Sequence, residues 1–168
     1  IQNNVAGAPA SGNQHAELDG DHPVTIWQNI PTIEGQEYAL DFKYSPRPGR
    51  NLADNSLQVK VDGSVLGADV ATDGSANGNT VWEDISRLFT AGSSTTKIEF
   101  YDNGTDTSFG GYLDDVSLEC LECDEEVTTV IVSDTTNEVG EGFAVETYEH
   151  AAWVDEFGDA KWIWDAAQ

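Results

Sequence analysis

The fold is decided by residues 56–66, which read Ser56-Leu57-Gln58-Val59-Lys60-Val61-Asp62-Gly63-Ser64-Val65-Leu66. Residues 56–61 alternate between polar and apolar side chains, the pattern of a strand with one exposed and one buried face. Asp62-Gly63 is a strong signal for a hairpin turn, and residues 64–66 continue on the far side. The stretch therefore predicts two paired antiparallel strands.

Other short stretches have the same character and are bounded by turn residues. They are residues 24–30, 38–44, 81–85, 96–101 and 111–118. No segment shows a convincing apolar stripe with the 3.6-residue period of a helix. Short strands at this spacing predict an all-β protein, with an antiparallel jelly-roll β-sandwich over residues 1–119.

The chain is strongly acidic: its 168 residues include 31 Asp and Glu but only seven Lys and Arg, a formal charge of −24. A hydrophobic content of 39%, with five Trp, five Tyr and six Phe, indicates a folded body rather than a disordered acidic tail. So few basic residues exclude nucleic acids and anionic membrane surfaces as partners. An acidic surface favours cations, chiefly Ca²⁺, which prefers carboxylate and carbonyl oxygens.

Several sequence signals bear on location and chemistry. No run of about 18 apolar residues is present, so we expect no insertion into a membrane. The chain starts at Ile1 without an initiator Met or a leader pattern, and we interpret it as a mature or excised piece. The motifs of nucleophilic and zinc-dependent hydrolases are absent from the sequence, which predicts a protein that is not an enzyme. Asn103-Gly104-Thr105 is a glycosylation acceptor if the source is eukaryotic.

The composition shifts after Glu119. Residues 121–168 hold 13 Asp and Glu against one Lys, which is half of the net charge in 48 residues. We interpret residues 120–126 as a linker in which Cys120 and Cys123 either close a local disulfide or join another chain. Residues 127–168 are too few to bury their three Trp alone. We therefore predict a partial second β domain, completed beyond this chain or by a neighbour; the alternative is that the segment packs back on the first domain.

Four ordered landmarks resemble a known group of domains. They are residues 12–19, the strand that ends in Trp27-Gln28-Asn29-Ile30, and residues 35–48 and 104–118. Together they resemble the galactose-binding-like jelly rolls of secreted carbohydrate-binding modules. Within that group, Tyr44-Ser45-Pro46-Arg47 and the Gly-Thr-Asp-x-Ser-x-Gly-Gly-Tyr-Leu-Asp run at 104–114 are most similar to the calcium-dependent peptide-binding domains of bacterial RTX adhesins. The segment 132–165 more weakly resembles the first half of an extracellular β-sandwich found in tandem in surface proteins.

One group of acidic residues predicts a structural Ca²⁺ site. Glu17 and Asp19 lie two residues apart, so on a strand both would face one side. A carboxylate from Asp114 or Asp115 would complete an oxygen cage. We select Asp115, because the resemblance places the ligand before Val-Ser-Leu.

A second group lies in two loops, at 47–55 and 102–108, with Ser45 just before the first. In the adhesin domains that the chain resembles, the corresponding loops hold a Ca²⁺ that captures a peptide C-terminus, and in related modules sugar hydroxyls take that role. The resemblance implies metal ligands at Asp54, Asn55, Asp102 and Asp106. It implies ligand-binding residues at Ser45, Arg47, Asn55, Asp106 and Ser108. Arg47 would either contact a carboxylate of the ligand or form a plain salt bridge with a loop Asp.

These features lead to two hypotheses of different classes. The first is a non-catalytic, calcium-dependent binding module of a secreted or cell-surface adhesion protein, which recognises a peptide terminus or a glycan. The second is a structural subunit of an extracellular filament or stalk stabilised by calcium, in which copies of the chain complete one another.

Overall fold

The computed structural model describes residues 6–19, 22–121, 123 and 160–161, and it confirms the predicted all-β class. The strands are β1 (Ala16–Glu17), β2 (Thr25–Pro31), β3 (Glu37–Ser45), β4 (Ser56–Val61), β5 (Ser64–Val65), β6 (Val70–Ala71), β7 (Glu83–Thr90), β8 (Thr95–Asp102), β9 (Tyr112–Cys120) and β10 (Ala160–Lys161). None of these described residues forms a helix that is long and apolar enough to cross a membrane.

The strands form two antiparallel sheets that pack face to face. Sheet 1 has the order β1-β9-β3-β7, with β10 also paired to β9, and sheet 2 has the order β2-β8-β4-β5, with β6 also paired to β4. Strands that are neighbours in a sheet come from distant parts of the chain, as β2 with β8 and β3 with β9. This arrangement is the predicted antiparallel jelly-roll β-sandwich.

The hairpin at 56–66 forms as predicted. Lys60 pairs with Val65 and Val61 with Ser64, so only two residues make the turn. Asp62 has a φ of 49° and Gly63 a φ of 78°. Two consecutive positive φ angles are those of the tight turn whose twist matches the flanking strands.

Strand bounds differ from the sequence prediction in a few places. β7 begins at Glu83 and runs to Thr90, five residues beyond its predicted end. The two-residue strand β6 was not predicted, since so short a pairing leaves no period to detect. The strand that the sequence predicts at 127–132 lies outside the described residues, as does most of the predicted second domain.

The core lies between the inward faces of the two sheets. Leu40 and Phe42 from β3 meet Leu57, Ile98 and Phe100 from sheet 2, and each is at most 2% exposed. The rings of Phe42 and Phe100 pack edge to face with centroids 5.1 Å apart. The burial of these apolar side chains is the main force that holds the sheets together.

The disulfide lies at the end of β9. This strand runs to Cys120, one residue past the predicted domain boundary, and Cys120 is bonded to Cys123. Cys123 packs against the core, and its Sγ lies 3.9 Å from the Tyr38 hydroxyl. The start of the predicted linker therefore belongs structurally to the first domain. β10 pairs Ala160 with Leu118 on the same strand.

Candidate metal and ligand site

The two loops that the sequence selected meet at one end of the sandwich. The 46–55 loop joins β3 to β4, and the 103–111 loop joins β8 to β9. The Thr105 amide donates a 2.8 Å hydrogen bond to the Ala53 carbonyl, and the Asn103 amide a 2.9 Å bond to the Ser56 carbonyl. The tertiary structure thus joins segments about 50 residues apart in sequence into one surface.

Asn55 holds the 46–55 loop in shape. Its Oδ1 accepts a 2.7 Å hydrogen bond from the Arg47 amide. Its Nδ2 donates to the carbonyls of Arg50 and Asn51 at 3.1 and 3.0 Å. The side chain is completely buried, so the structure gives the predicted metal and ligand residue a role in loop geometry.

Ser45 is placed differently from the expectation. It is completely buried, its hydroxyl donates to the Pro46 carbonyl at 3.1 Å, and it accepts from the Val81 amide at 2.9 Å. The prediction that Ser45 contacts a ligand is wrong in this structure, because the chain around Val81 covers the end of β3.

Asp19 and Asp102, here called the buried carboxylate pair, lie beneath these loops. They are 0% and 1% exposed. One oxygen of each accepts a backbone hydrogen bond: Asp19 Oδ2 from the Thr107 amide at 3.2 Å, and Asp102 Oδ1 from the Gly104 amide at 3.2 Å. The other oxygens, Asp19 Oδ1 and Asp102 Oδ2, are buried without a hydrogen-bond partner among the described residues.

Burial gives Asp102 an abnormal pKa. Its pKa is raised to about 6, chiefly by loss of hydration and further by the negative charges of Asp19 and Asp106, against the opposing hydrogen bond from the Gly104 amide. At neutral pH the side chain is still mostly ionised. A buried carboxylate oxygen without a hydrogen bond raises the free energy of the folded state unless a cation neutralises its charge.

Tyr44 adds a third buried oxygen close by. Its hydroxyl has no partner among the described residues, and burial together with the charge of Asp102 raises its pKa. A side chain at Gly111 would collide with this hydroxyl, and a Cβ at Gly110 would lie 2.7 Å from the Asp19 amide. The two glycines therefore let the chain entering β9 lie directly against the Tyr44 hydroxyl and the backbone of Asp19.

The first predicted calcium group does not form. Asp115 is exposed whereas Asp19 is completely buried, and no cluster of metal-ligating side chains among the described residues brings these two together with Glu17. Glu17 is instead in an ion pair with Arg47.

The selection of Asp115 as the inward carboxylate is wrong. Asp115 is exposed, has a φ of 51° and lies where the pairing of β9 with β3 shifts register. This irregularity turns its side chain outward. Asp114 is buried instead, and its Oδ2 accepts hydrogen bonds from the amides of Ala10 and Ser11 at 2.8 and 3.1 Å.

Arg47 forms a salt bridge, but its partner is Glu17 rather than a loop Asp. The side chains of Arg47 and Glu17 are 17% and 6% exposed. The Arg47 guanidinium also lies 4.7 Å from the ring centre of Phe109, on which Arg50 stacks at 3.3 Å. Within the described chain Arg50 has no carboxylate partner.

The remaining predicted ligands are divided between the interior and the surface. Asp54 is 7% exposed. Asp106 is on the surface with an oxygen 3.3 Å from His22 Nδ1, and Ser108 is exposed with a φ of 63°. Across the described residues, no three His, Cys, Asp or Glu side chains converge as a preformed metal cluster. A cation here would therefore need backbone or phenolic oxygens beside the carboxylate pair.

An open depression of about 710 Å³ lies on the surface formed by the two loops. It is lined by Asn51, Leu52, Ala53, Ser56, Ala71, Asp73, Asn103, Gly104 and Thr105. Leu52 is 51% exposed, and most of the other side chains carry hydrogen-bonding groups. Asn103, the predicted glycosylation acceptor, donates to Asp69 Oδ2 at 2.7 Å.

Gly104→Ala should separate the two loops. A Cβ there would lie 2.8 Å from the Asp54 carbonyl oxygen, which cannot move without the whole 46–55 loop. We expect a loss of stability of about 1–3 kcal/mol in urea unfolding. Gly92→Ala is the matched control, because its Cβ would meet nothing within 4 Å. Equal stability of the two variants would contradict the close packing of the loops.

Comparisons with known proteins give structural matches only. Neither a protein-family model nor a curated protein matches the sequence. A family 35 carbohydrate-binding module from Clostridium thermocellum superposes with a TM-score of 0.51 at 17% identity, over 67% of this chain and 82% of that one. The two share the jelly-roll fold.

Two further structures match more loosely. The C-terminal domain of EclA, a sugar-binding protein, gives a TM-score of 0.48 at 13% identity, over 65% of this chain and 79% of that one. A ruminal GH26 endo-β-1,4-mannanase gives 0.39 at 15%, over 74% of this chain and 26% of that one. The resemblance to carbohydrate-binding modules is thus confirmed for the fold, and the resemblance to adhesin peptide-binding domains stays a prediction.

Proposed function

We propose that residues 6–123 form a non-catalytic, calcium-dependent glycan-binding module of a secreted or cell-surface adhesion protein. The observation that carries the proposal is the buried carboxylate pair directly beneath the loops that line the open depression. The jelly-roll fold shared with a carbohydrate-binding module supports the class of function. The acidic surface and the disulfide between Cys120 and Cys123 support an extracellular location.

The chemistry of the buried carboxylate pair fits Ca²⁺. This ion takes six to eight oxygen ligands, which carboxylates, carbonyls and water supply. Asp19 and Asp102 would hold it through the oxygens that lack a protein partner, with carbonyls of the surrounding loops. When bound, the ion would supply positive charge to an otherwise anionic interior.

The same two carboxylates hold the first half of the 103–111 loop in place. Asp102 accepts a hydrogen bond from the Gly104 amide, and Asp19 accepts one from the Thr107 amide. Asn103 and Thr105, which line the depression, belong to this half of the loop. A cation that fixes both carboxylates would therefore fix the wall of the ligand site, which is the physical basis for calcium dependence.

The lining favours a glycan over a peptide terminus. Amide and hydroxyl groups beside the exposed Leu52 suit sugar hydroxyls and the apolar face of a pyranose ring. Arg47, the cationic side chain that the sequence suggested for a peptide carboxylate, is already paired with Glu17. The alternative of a filament subunit depends on residues 127–168, which lie outside the described structure apart from the short β10.

Isothermal calorimetry with named probes tests the proposal. The probes are cellohexaose, xylohexaose, mannohexaose and a short peptide with a free or amidated C-terminus. We expect at least one hexasaccharide to bind with Ca²⁺, and Leu52→Ala to weaken that binding about tenfold in calcium. Leu88→Ala is the matched control, because Leu88 is 53% exposed on the opposite sheet.

Three results would contradict the proposal. One is binding of the free peptide but of no saccharide, which would favour recognition of a peptide terminus. Another is that Ca²⁺ adds no saccharide binding beyond that seen in EDTA, or adds binding that Leu52→Ala does not weaken. The third is binding of none of the probes in either condition.

A further inference from the structure

The outer face of sheet 2 is chemically distinct from the rest of the surface. Trp27 is 55% exposed in the middle of β2, and Tyr101 lies half-buried on the adjacent strand β8. Thr25 pairs with Tyr101 and Trp27 with Glu99, so the two aromatic side chains are diagonal neighbours on the same face. Residues on this face alternate with the core residues of the same strands.

Charged groups lie against each of these aromatic rings. Lys97 Nζ is 4.7 Å from the ring centre of Trp27, and Lys60 Nζ is 4.8 Å from that of Tyr101. Lys97 also forms an ion pair at 2.7 Å with Glu99, the residue that pairs with Trp27 across the strands. The face therefore presents apolar rings bordered by hydrogen-bond donors and acceptors.

The outer face of sheet 1 has no such composition. Its strands present Asp41, Asp84, Asp115 and Glu119 outward, with Lys43 paired to Asp84. Two of the seven basic residues of this chain of charge −24 thus lie on the aromatic face of sheet 2. The outer face of sheet 2 therefore carries less negative charge than that of sheet 1, and it repels the electron-rich oxygens of a ligand less strongly.

We propose that the outer face of sheet 2 is a second, calcium-independent glycan-binding site, at which Trp27 and Tyr101 stack against pyranose rings. A pyranose has apolar C–H faces and a polar rim of hydroxyls, which match rings bordered by Lys60, Lys97 and Glu99. Interfaces between proteins are depleted of charged residues at their centre, whereas here Lys60 and Lys97 lie directly against the two rings. The net charge opposes nucleic acid and anionic lipid.

The site is independent of the depression proposed above. It is built on the regular strands β2, β8 and β4, and none of its residues touches the buried carboxylate pair in the hydrogen bonds and ion pairs of the described residues. The binding that depends on Trp27 should therefore persist when calcium is removed. This property separates the two proposals.

Calorimetry of the full chain in EDTA, with cellohexaose, xylohexaose and mannohexaose as probes, tests the second site. We expect at least one probe to bind, Trp27→Ala and Tyr101→Ala each to weaken it about tenfold, and Trp27→Phe to retain part of the affinity. Leu88→Ala and Leu52→Ala should bind as the wild type does. Trp27 is exposed, so thermal unfolding should show that its variants remain folded.

Two outcomes would overturn this proposal and leave the calcium-dependent site unaffected. In the first, no probe binds in EDTA. In the second, a probe binds in EDTA, but Trp27→Ala and Tyr101→Ala bind it as tightly as the wild type and Leu88→Ala do.

Discussion

Chelation of calcium should lower the unfolding temperature of the wild-type chain by roughly 10 °C, and Asp102→Asn should abolish that response. A ligand present at about 100 times its dissociation constant stabilises the native state by about 2.7 kcal/mol, which corresponds to a shift of this size in a domain of this length. Asp102→Asn removes the negative charge of Asp102, whose Oδ2 has no hydrogen-bond partner among the described residues. Scanning calorimetry with EDTA and with excess Ca²⁺ measures both effects.

Glu119→Gln is the control for this experiment, because Glu119 is an exposed carboxylate on the outer face of β9. Its calcium response should equal that of the wild type. A wild-type chain that unfolds at the same temperature in EDTA and in Ca²⁺ would refute the metal site. If calcium shifts the unfolding temperature of Asp102→Asn as much as that of the wild type, the metal site does not involve the buried carboxylate pair.

The raised pKa of Asp102 makes this calcium response depend on pH. Its folded value of about 6 lies above the ordinary 3.8, so the folded, metal-free chain binds a proton more readily than the unfolded chain does. The metal-free protein therefore gains stability from this group as the pH falls through about 6. Protons compete with Ca²⁺ for the same oxygens, so the difference between EDTA and calcium should shrink from pH 7.5 to pH 5.

Glu17→Gln should destabilise the chain by about 3 kcal/mol, equally with and without calcium. The substitution leaves the Arg47 guanidinium, which is 17% exposed, without its carboxylate partner. Removing one member of a largely buried ion pair costs about 3–5 kcal/mol, and the residual exposure of Arg47 places the expectation at the low end. Urea unfolding in EDTA and in Ca²⁺ gives the two values.

Asp84→Asn provides the comparison, since it breaks an ion pair with Lys43 in which the Asp side chain is 85% exposed. Surface pairs contribute about 0–1 kcal/mol, so this variant should be nearly as stable as the wild type. If Glu17→Gln weakens calcium binding instead, Glu17 is a metal ligand, as the sequence alone had suggested, and the ion pair is secondary.

Much of the fold could be predicted from local pattern. The alternation at 56–61 and the Asp62-Gly63 turn produce the observed hairpin, because side-chain period and turn chemistry act within a few residues. The predicted stretches 38–44 and 96–101 differ from β3 and β8 by one residue at each end. The two loops that the resemblance suggested as the ligand site do lie together, joined by backbone hydrogen bonds, and their role in binding stays a prediction.

The ligand sets could not be predicted in the same way. Glu17 and Asp19 were expected on one side of a strand, but β1 ends at Glu17, and the two carboxylates have different partners. The outward turn of Asp115 follows from the register of β9 against β3, which pairs residues about 75 positions apart. No local period contains that information.

By itself, the sequence determined the all-β class, the main strands, the acidic surface and the absence of recognisable catalytic motifs. The tertiary structure decided which carboxylates are buried away from water and which form an ion pair with Lys or Arg. Asp102 was selected by resemblance as a loop ligand, yet its pairing with Asp19 depends on the 103–111 loop folding over both. The physical reason is that alternation fixes only the face on which a side chain lies, whereas burial and charge pairing depend on contacts between distant segments.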